Sequence, residues 1–83
     1  MNPTPTDSLR ALIDAELFPL DESVTDATDL YSEGLDSMAL MQLILLLERE
    51  FGIAITPDDL GRENFATLAD MAAFVSRKQN AGP

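Results

Sequence analysis

Cysteine and histidine are both absent from the 83-residue sequence. Without them the chain can form no disulfide, no thiolate metal site and no nucleophile–imidazole pair of the kind that triad hydrolases use. Glycine and proline are also few, at four and five residues, while 46% of the residues are hydrophobic. This composition is typical of an ordinary globular domain rather than of a disordered chain.

Basic residues are scarce, with five Lys and Arg against fifteen Asp and Glu and a net charge of −10. No Lys or Arg lies between Ala11 and Glu48. This distribution disfavours binding to phosphate or nucleic acid. The acids either keep a small protein soluble or steer it toward partners that carry basic patches, and the sequence leaves both explanations open.

Long apolar runs are missing as well, since no stretch approaches the ~20 residues that span a bilayer. The first six residues contain no basic or apolar run of a targeting segment. A chain this short builds one modest core. We therefore expect a cytoplasmic monomer with a single domain over residues 1–83 and flexible tails at 1–6 and 79–83.

Apolar residues recur at helical spacing, and cap residues indicate where the helices begin and end. The predicted helices are Asp7–Phe18, Ser37–Phe51, a short third helix that starts at Pro57 and ends before Gly61, and a last helix from about Thr67. No segment alternates with the period of a strand. The expected fold is an all-α, four-helix bundle with a short third helix and a long loop between helices one and two. Scattered apolar residues can pin that loop to the core: Val24, Leu30, Tyr31 and Leu35.

The second helix has two apolar faces. At 100° per residue its core stripe consists of Leu40, Leu43, Ile44, Leu47 and Phe51. Met38, Met41 and Leu45 fall on the opposite side. This second face is either buried under the long loop or exposed as a docking surface, for which flexible Met side chains are well suited.

Catalytic groups are hard to find. The paired carboxylates Asp21-Glu22 and Asp58-Asp59 lie at turn and cap positions, where solvation or a helix dipole accounts for them. The acidic run 26–36 fails as a calcium loop because Thr28 and Leu30 occupy ligand positions and no Glu closes it.

One short segment remains, Gly34-Leu35-Asp36-Ser37-Met38, where the acidic loop meets the apolar helix. An Asp-Ser pair before an apolar run is commonly just a helix cap. A Ser at a helix N-terminus also presents its hydroxyl to solvent, beside amide groups and a positive dipole end that stabilise an attached phosphodiester. Gly34 lets the backbone turn sharply and lets a modifying enzyme approach.

Three segments carry a resemblance to a known family. They are Gly34-Leu35-Asp36-Ser37-Met38, then Glu48-Arg49-Glu50-Phe51-Gly52-Ile53 at the end of the apolar helix, and Phe65-Ala66-Thr67-Leu68 before the last helix. With the length and charge, they resemble the acyl carrier protein family of phosphopantetheine-binding carriers over nearly the whole chain. The resemblance implies that Ser37 receives 4′-phosphopantetheine from coenzyme A through a separate magnesium-dependent phosphopantetheinyl transferase. That transferase would recognise Asp36 and Gly34.

The resemblance further implies a carrier rather than an enzyme. Such a carrier shuttles thioester-bound acyl groups between loading ligases, synthases or acyltransferases. Fatty-acid carriers usually bear acids two and five positions after the modified Ser, where this chain has Ala39 and Gln42. We therefore expect a specialised lipid or secondary-metabolite pathway rather than ordinary fatty acid biosynthesis. The expected partner surface comprises Met38, Met41, Gln42, Leu45, Glu48 and Glu33.

Two alternatives stay open. A discrete aminoacyl or peptidyl carrier would share the bundle and the Ser, but Glu33-Gly34-Leu35-Asp36 departs from the usual peptidyl-carrier pattern, so the sequence favours an acyl cargo. An unmodified helical adaptor would instead bind a partner through helix two.

Overall fold

The computed structural model describes residues 5–81, which form three α-helices and three single turns of 3-10 helix. The α-helices are α1 (Pro5–Glu16), α2 (Ser37–Phe51) and α3 (Leu68–Ala81), and the 3-10 turns are Leu30–Ser32, Pro57–Asp59 and Arg62–Asn64. No strand occurs in this range, and the predicted all-α fold is confirmed. The helices include residues 5–6 and 79–81 of the predicted tails, whereas 1–4 and 82–83 lie outside the described residues.

Helix α1 is shifted from the predicted Asp7–Phe18 by two residues at each end. It begins at Pro5, because proline fits the first turn of a helix, where its missing N–H is not needed. The N–H groups of Leu17 and Phe18 both donate to the Ile13 carbonyl, at 2.9 and 3.1 Å, and the second bond spans five residues, so the α-helical pattern ends here. Pro19 explains the early end, since the residue before a proline avoids the helical region.

Helix α2 has the predicted bounds. Asp36 caps its start, with the carboxylate accepting from the Ala39 N–H at 2.8 Å. Gly52 ends it in the left-handed conformation (φ 65°), and its N–H donates to the Glu48 carbonyl at 3.0 Å.

The short third helix of the expected bundle is a pair of 3-10 turns on either side of Gly61 rather than one α-helical turn. In the first of them, Pro57–Asp59, the Asp59 side chain bonds both to the residue before the turn and to α3. Its carboxylate accepts from the Thr56 N–H at 2.9 Å and from the Lys78 ammonium of α3 at 2.8 Å. These bonds fix the connection between α2 and α3 against the last helix.

The long loop before α2 is pinned to the rest of the molecule as the sequence indicated. Val24, Leu30 and Leu35 are buried, and Tyr31 is half-buried. Leu30 N–H donates to the Ala66 carbonyl at 2.7 Å. The loop therefore delivers the chain to the start of α2 along a defined path.

The core joins all three helices and the loop. Helix α3 packs against α1 and α2. In the core, Phe65 and Phe74 meet edge to face, with ring centroids 5.3 Å apart. The buried cluster is Leu9, Ile13, Val24, Leu30, Leu35, Leu43, Leu47, Ile53, Phe65, Leu68, Met71, Phe74 and Val75. Within residues 5–81 no helix combines the length and apolar character that crossing a bilayer requires.

Candidate functional site

Ser37 is the first residue of α2, and its side chain is exposed. Within the described part of the chain, its hydroxyl takes part in no hydrogen bond. The backbone N–H groups of Ser37 and Met38 also have no acceptor there, because Asp36 serves only the next two amides, those of Ala39 and Leu40. A free hydroxyl and two unpaired amides thus share the positive end of one helix.

Asp36 holds this geometry in place. Its carboxylate accepts from the Ala39 N–H at 2.8 Å, and its carbonyl accepts from the Leu40 N–H at 2.8 Å. The side chain predicted as a transferase determinant is therefore also the N-cap that sets the direction in which Ser37 projects.

Gly34 adopts a backbone conformation that allows the sharp turn predicted before Ser37. Its φ of 132° lies in a region that residues with a Cβ rarely adopt. Leu35, directly after it, is buried and its N–H donates to the Leu30 carbonyl at 3.1 Å. A Cβ on Gly34 would meet the Phe18 ring at 3.5 Å, an ordinary contact distance. The glycine is thus needed for its backbone conformation rather than for space.

These residues fit a covalently attached phosphodiester. The exposed hydroxyl offers the atom to be esterified, and the unpaired amides with the helix dipole can stabilise the phosphate charge. No basic residue is near this segment in the sequence, since none occurs between Ala11 and Glu48. Among the described residues, no cluster of three or more Asp and Glu side chains is arranged to hold a metal ion.

The second face of α2 is open to solvent. Met38, Met41 and Leu45 are 76%, 64% and 65% exposed, so burial under the long loop is the wrong explanation for them. We call these three residues the Met–Leu face. Gln42 is exposed at its edge, and Glu33 is exposed in the loop just before Gly34.

Glu48, the remaining residue of the predicted partner surface, lies differently. It is half-buried, and its carboxylate accepts from the Ile55 N–H at 2.9 Å across the turn that follows α2. Part of its hydrogen-bonding capacity is therefore used inside the fold.

The core stripe of α2 was incompletely predicted. Leu43 and Leu47 are buried, and Leu40, Ile44 and Phe51 are partly buried against the core, as expected. Leu46 is buried too, at 9% exposure, although it belongs to neither predicted face. It lines a groove together with Glu16 at the end of α1, and only the tertiary structure brings residues of these two helices to one groove.

Comparison with known proteins agrees with this geometry. Residues 7–75 match the family model described as the phosphopantetheine attachment site. The D-alanyl carrier protein of Lactococcus lactis subsp. lactis is 42% identical over 53 residues, which are 63% of this chain and 67% of that protein. The aminoacyl carrier protein of Agrobacterium fabrum is 40% identical over 47 residues, 57% of each chain. The acyl carrier protein of Thermotoga maritima is 34% identical over 66 residues, 77% of this chain and 79% of that one.

Solved structures give the same result. The fold matches a chain in the crystal structure of an engineered Bradyrhizobium japonicum glycine:[carrier protein] ligase complexed with carrier protein from Agrobacterium tumefaciens and ATP, with a TM-score of 0.75 and 28% identity. The match covers 87% of this chain and 96% of that chain. A second match, with a TM-score of 0.65 and 25% identity, is to the complex of the Bradyrhizobium japonicum ligase with glycylated carrier protein, and it covers 83% and 90% of the two chains.

The family match and the named relatives place the chain among carrier proteins, which are not enzymes. The chain belongs to the phosphopantetheine-attachment family, whose prosthetic group is 4′-phosphopantetheine. When bound, that group supplies a terminal thiol on which an acyl group is held as a thioester.

Proposed function

We propose that Ser37 carries the 4′-phosphopantetheine arm of this carrier protein. The observation on which this rests is the exposed, unbonded Ser37 hydroxyl at the capped start of α2, within the segment that matches the family model. In the transfer from coenzyme A, a bond forms between Ser37 Oγ and the pantetheine phosphorus. The pyrophosphate bond breaks, adenosine 3′,5′-bisphosphate leaves, and the hydroxyl gives up its proton.

A mass measurement tests the attachment. The purified chain is incubated with coenzyme A, Mg²⁺ and a promiscuous phosphopantetheinyl transferase, and its intact mass is then recorded. The parent should gain one arm and one titratable thiol, and Ser37→Ala should gain neither. Ser32→Ala is the matched control, because Ser32 is another exposed Ser of the same loop region and its loss should leave the modification unchanged. Modification of Ser37→Ala would contradict the proposal, and a parent that gained no arm would favour the unmodified adaptor.

We further propose that the cargo is a small aminoacyl group. Relatives named as D-alanyl and aminoacyl carrier proteins support this, as does the likeness to a carrier complexed with a glycine-specific ligase. The packing also supports it. A long alkyl chain is stabilised by about 0.8 kcal/mol for each CH₂ that leaves water, so a long-chain carrier benefits from interior space. Here Phe65 and Phe74 are buried and in contact with each other, and a small cargo needs no room between them.

A longer acyl cargo is the second candidate, because the Thermotoga maritima acyl carrier protein aligns with most of this chain. Intact mass of the carrier isolated from its native host separates the two. An added mass that equals an amino-acid residue and is released by hydroxylamine supports an aminoacyl thioester, whereas the mass of a long alkyl acyl group contradicts it.

We propose the Met–Leu face, with Gln42, Glu33 and the exposed part of Glu48 at its edges, as the surface that partner enzymes contact. Its exposed apolar area supports this, since flexible Met side chains adapt to varied surfaces. The partner of this face is then a ligase that loads the aminoacyl group, whereas a phosphopantetheinyl transferase recognises Asp36 and Gly34. The acidic loop steers the approach of partners with basic patches.

A further inference from the structure

A groove of about 510 Å³ lies between the C-terminal end of α1 and the outward side of α2. Its lining residues are Glu16, Gln42, Leu45, Leu46 and Arg49. Leu46 is buried and Leu45 is largely exposed, so the groove has an apolar floor and an apolar edge. The α1 side of the groove contributes the negatively charged Glu16, and the α2 side contributes the neutral Gln42 and the positively charged Arg49.

The α1 wall of the groove is negatively charged. Glu16 is the last residue of α1, and the last turn of this helix contains no basic residue to offset the negative end of its dipole. The Leu17 and Phe18 N–H groups both donate to the Ile13 carbonyl, so among the described residues no backbone N–H reaches the three carbonyls that follow it. The last turn of α1 thus combines a carboxylate with three carbonyls that no backbone N–H satisfies.

The α2 wall offers hydrogen-bond donors. Arg49 has one ion-pair contact in the described residues, to Glu50 at 3.7 Å, and both side chains are exposed. Such an exposed pair is weak, so the Arg49 guanidinium remains free to donate elsewhere. The Gln42 amide is also exposed.

The groove lies on the same helix as Ser37. Gln42 and Arg49 follow Ser37 by five and twelve residues, which places them about 7.5 and 18 Å along the axis at 1.5 Å per residue. Met38, Met41 and Leu45 form an apolar path over this interval. An arm on Ser37 that folds along α2 would therefore run toward the groove.

An aminoacyl thioester has the chemistry that this groove complements. Its aminoacyl end carries an ammonium group, one carbonyl oxygen and a side chain, whereas a plain acyl group lacks the cation. We infer that the groove binds the aminoacyl end of the loaded arm. The ammonium lies at Glu16 and the end of α1. The thioester carbonyl oxygen accepts from Gln42 and Arg49, and the amino-acid side chain rests on Leu45 and Leu46. This inference rests on the proposed attachment at Ser37, and it adds a physical reason for an aminoacyl cargo.

Stable amide analogues of the loaded arm test the inference without a cognate ligase. Coenzyme A analogues that carry a valyl or an isovaleryl group in amide linkage are transferred to the protein by the promiscuous transferase. The two arms have the same branched side chain and differ in the ammonium. Intact mass and peptide mapping first locate the arm on Ser37, and NMR then follows the backbone amides and the titration of the ¹⁵N-labelled valyl amino group.

The valyl arm should shift the amides of Glu16 and Leu46, and the isovaleryl arm should shift them less. The proton affinity of the valyl amino group should fall about two- to fivefold in Glu16→Gln, the upper part of the range for an exposed pair of opposite charges. Glu22→Gln removes the same charge from an exposed loop residue outside the groove, and it should leave the titration close to that of the parent.

The results separate the groove from the attachment of the arm at Ser37. Equal titration in the parent and in Glu16→Gln, or equal losses in Glu16→Gln and Glu22→Gln, would overturn the groove while leaving the carrier function intact. An arm that is absent from Ser37 would overturn the proposed function together with the groove.

Discussion

Replacement of Gly34 by alanine tests whether backbone conformation, rather than space, demands a glycine before the attachment site. The φ of 132° at Gly34 lies outside the regions that alanine adopts readily. The added Cβ would sit 3.5 Å from the Phe18 ring, at ordinary van der Waals distance. The structure therefore predicts a loss that comes from the backbone and hardly from a clash.

The size of the loss follows from two opposing terms. A residue held in a sparsely populated backbone region costs about 1–3 kcal/mol. Alanine also restricts the unfolded chain, which offsets about 0.4–1 kcal/mol of that cost. We expect Gly34→Ala to reduce the free energy of unfolding by about 1–2 kcal/mol. For a domain of this size each kcal/mol lowers the melting temperature by about 4–8 °C.

Urea unfolding followed by circular dichroism measures the loss, and a double-mutant cycle with Phe18→Ala identifies its cause. If the backbone is responsible, the losses of the two single variants add to within about 0.5 kcal/mol. Gly52→Ala serves as a comparison, because Gly52 also has a positive φ of 65° but no atom within 4 Å of an added Cβ. It should cost about 1–2 kcal/mol.

Two results would refute this reasoning. Full stability in Gly34→Ala would mean that the turn relaxes without cost. Recovery of most of the loss in the Gly34→Ala, Phe18→Ala double variant would mean that contact with the ring, and not φ, excludes a side chain.

Three further predictions concern the cap, an ion pair and the docking face. Asp36→Ala should lower stability by about 1 kcal/mol and slow arm transfer, while Asp36→Asn should keep the stability, as urea unfolding and transfer rates will show. The hydrogen bond from Lys78 holds the pKa of Asp59 below its ordinary value. The pair therefore stabilises the fold fully above the pKa that Asp59 has in the unfolded chain, and this contribution is lost as the pH falls through its pKa in the folded protein. Asp59→Asn should therefore cost about 1 kcal/mol in urea unfolding at pH 7 and less at pH 3; equal losses would contradict the ion pair. Met41→Glu should slow ligase loading without slowing arm transfer, and Ala73→Glu on exposed α3 should change neither rate, whereas unaltered loading of Met41→Glu would argue against apolar docking.

The helix that carries the site could be predicted to the residue because its signals are local. Asp36 caps its start and Gly52 its end, and each acts on backbone groups within one helical turn. The end of α1 was harder to predict. The apolar residues continue through Leu17 and Phe18, past the last helical residue Glu16. Pro19 restricts the conformation of Phe18 but does not mark where the helix ends before it.

Contacts between distant segments escaped prediction. The Asp59–Lys78 pair joins residues 19 positions apart, and it fixes the 3-10 turn after α2 against α3. Nothing near either residue in the sequence indicates its partner. The groove between Glu16 and Arg49 was missed for the same reason, since its lining comes from α1 and α2, which are distant in sequence.

The sequence by itself determined the helices, their caps and the serine that begins α2, because hydrogen bonds and side-chain periods within a few residues specify them. It also placed Met38, Met41 and Leu45 together on one side of α2. Whether that side was covered or open depended on where the long loop lies. Only the tertiary structure decided this, because burial is the sum of contacts from segments far apart in the chain, and here the loop packs through Val24 and Leu30 and leaves the Met–Leu face exposed.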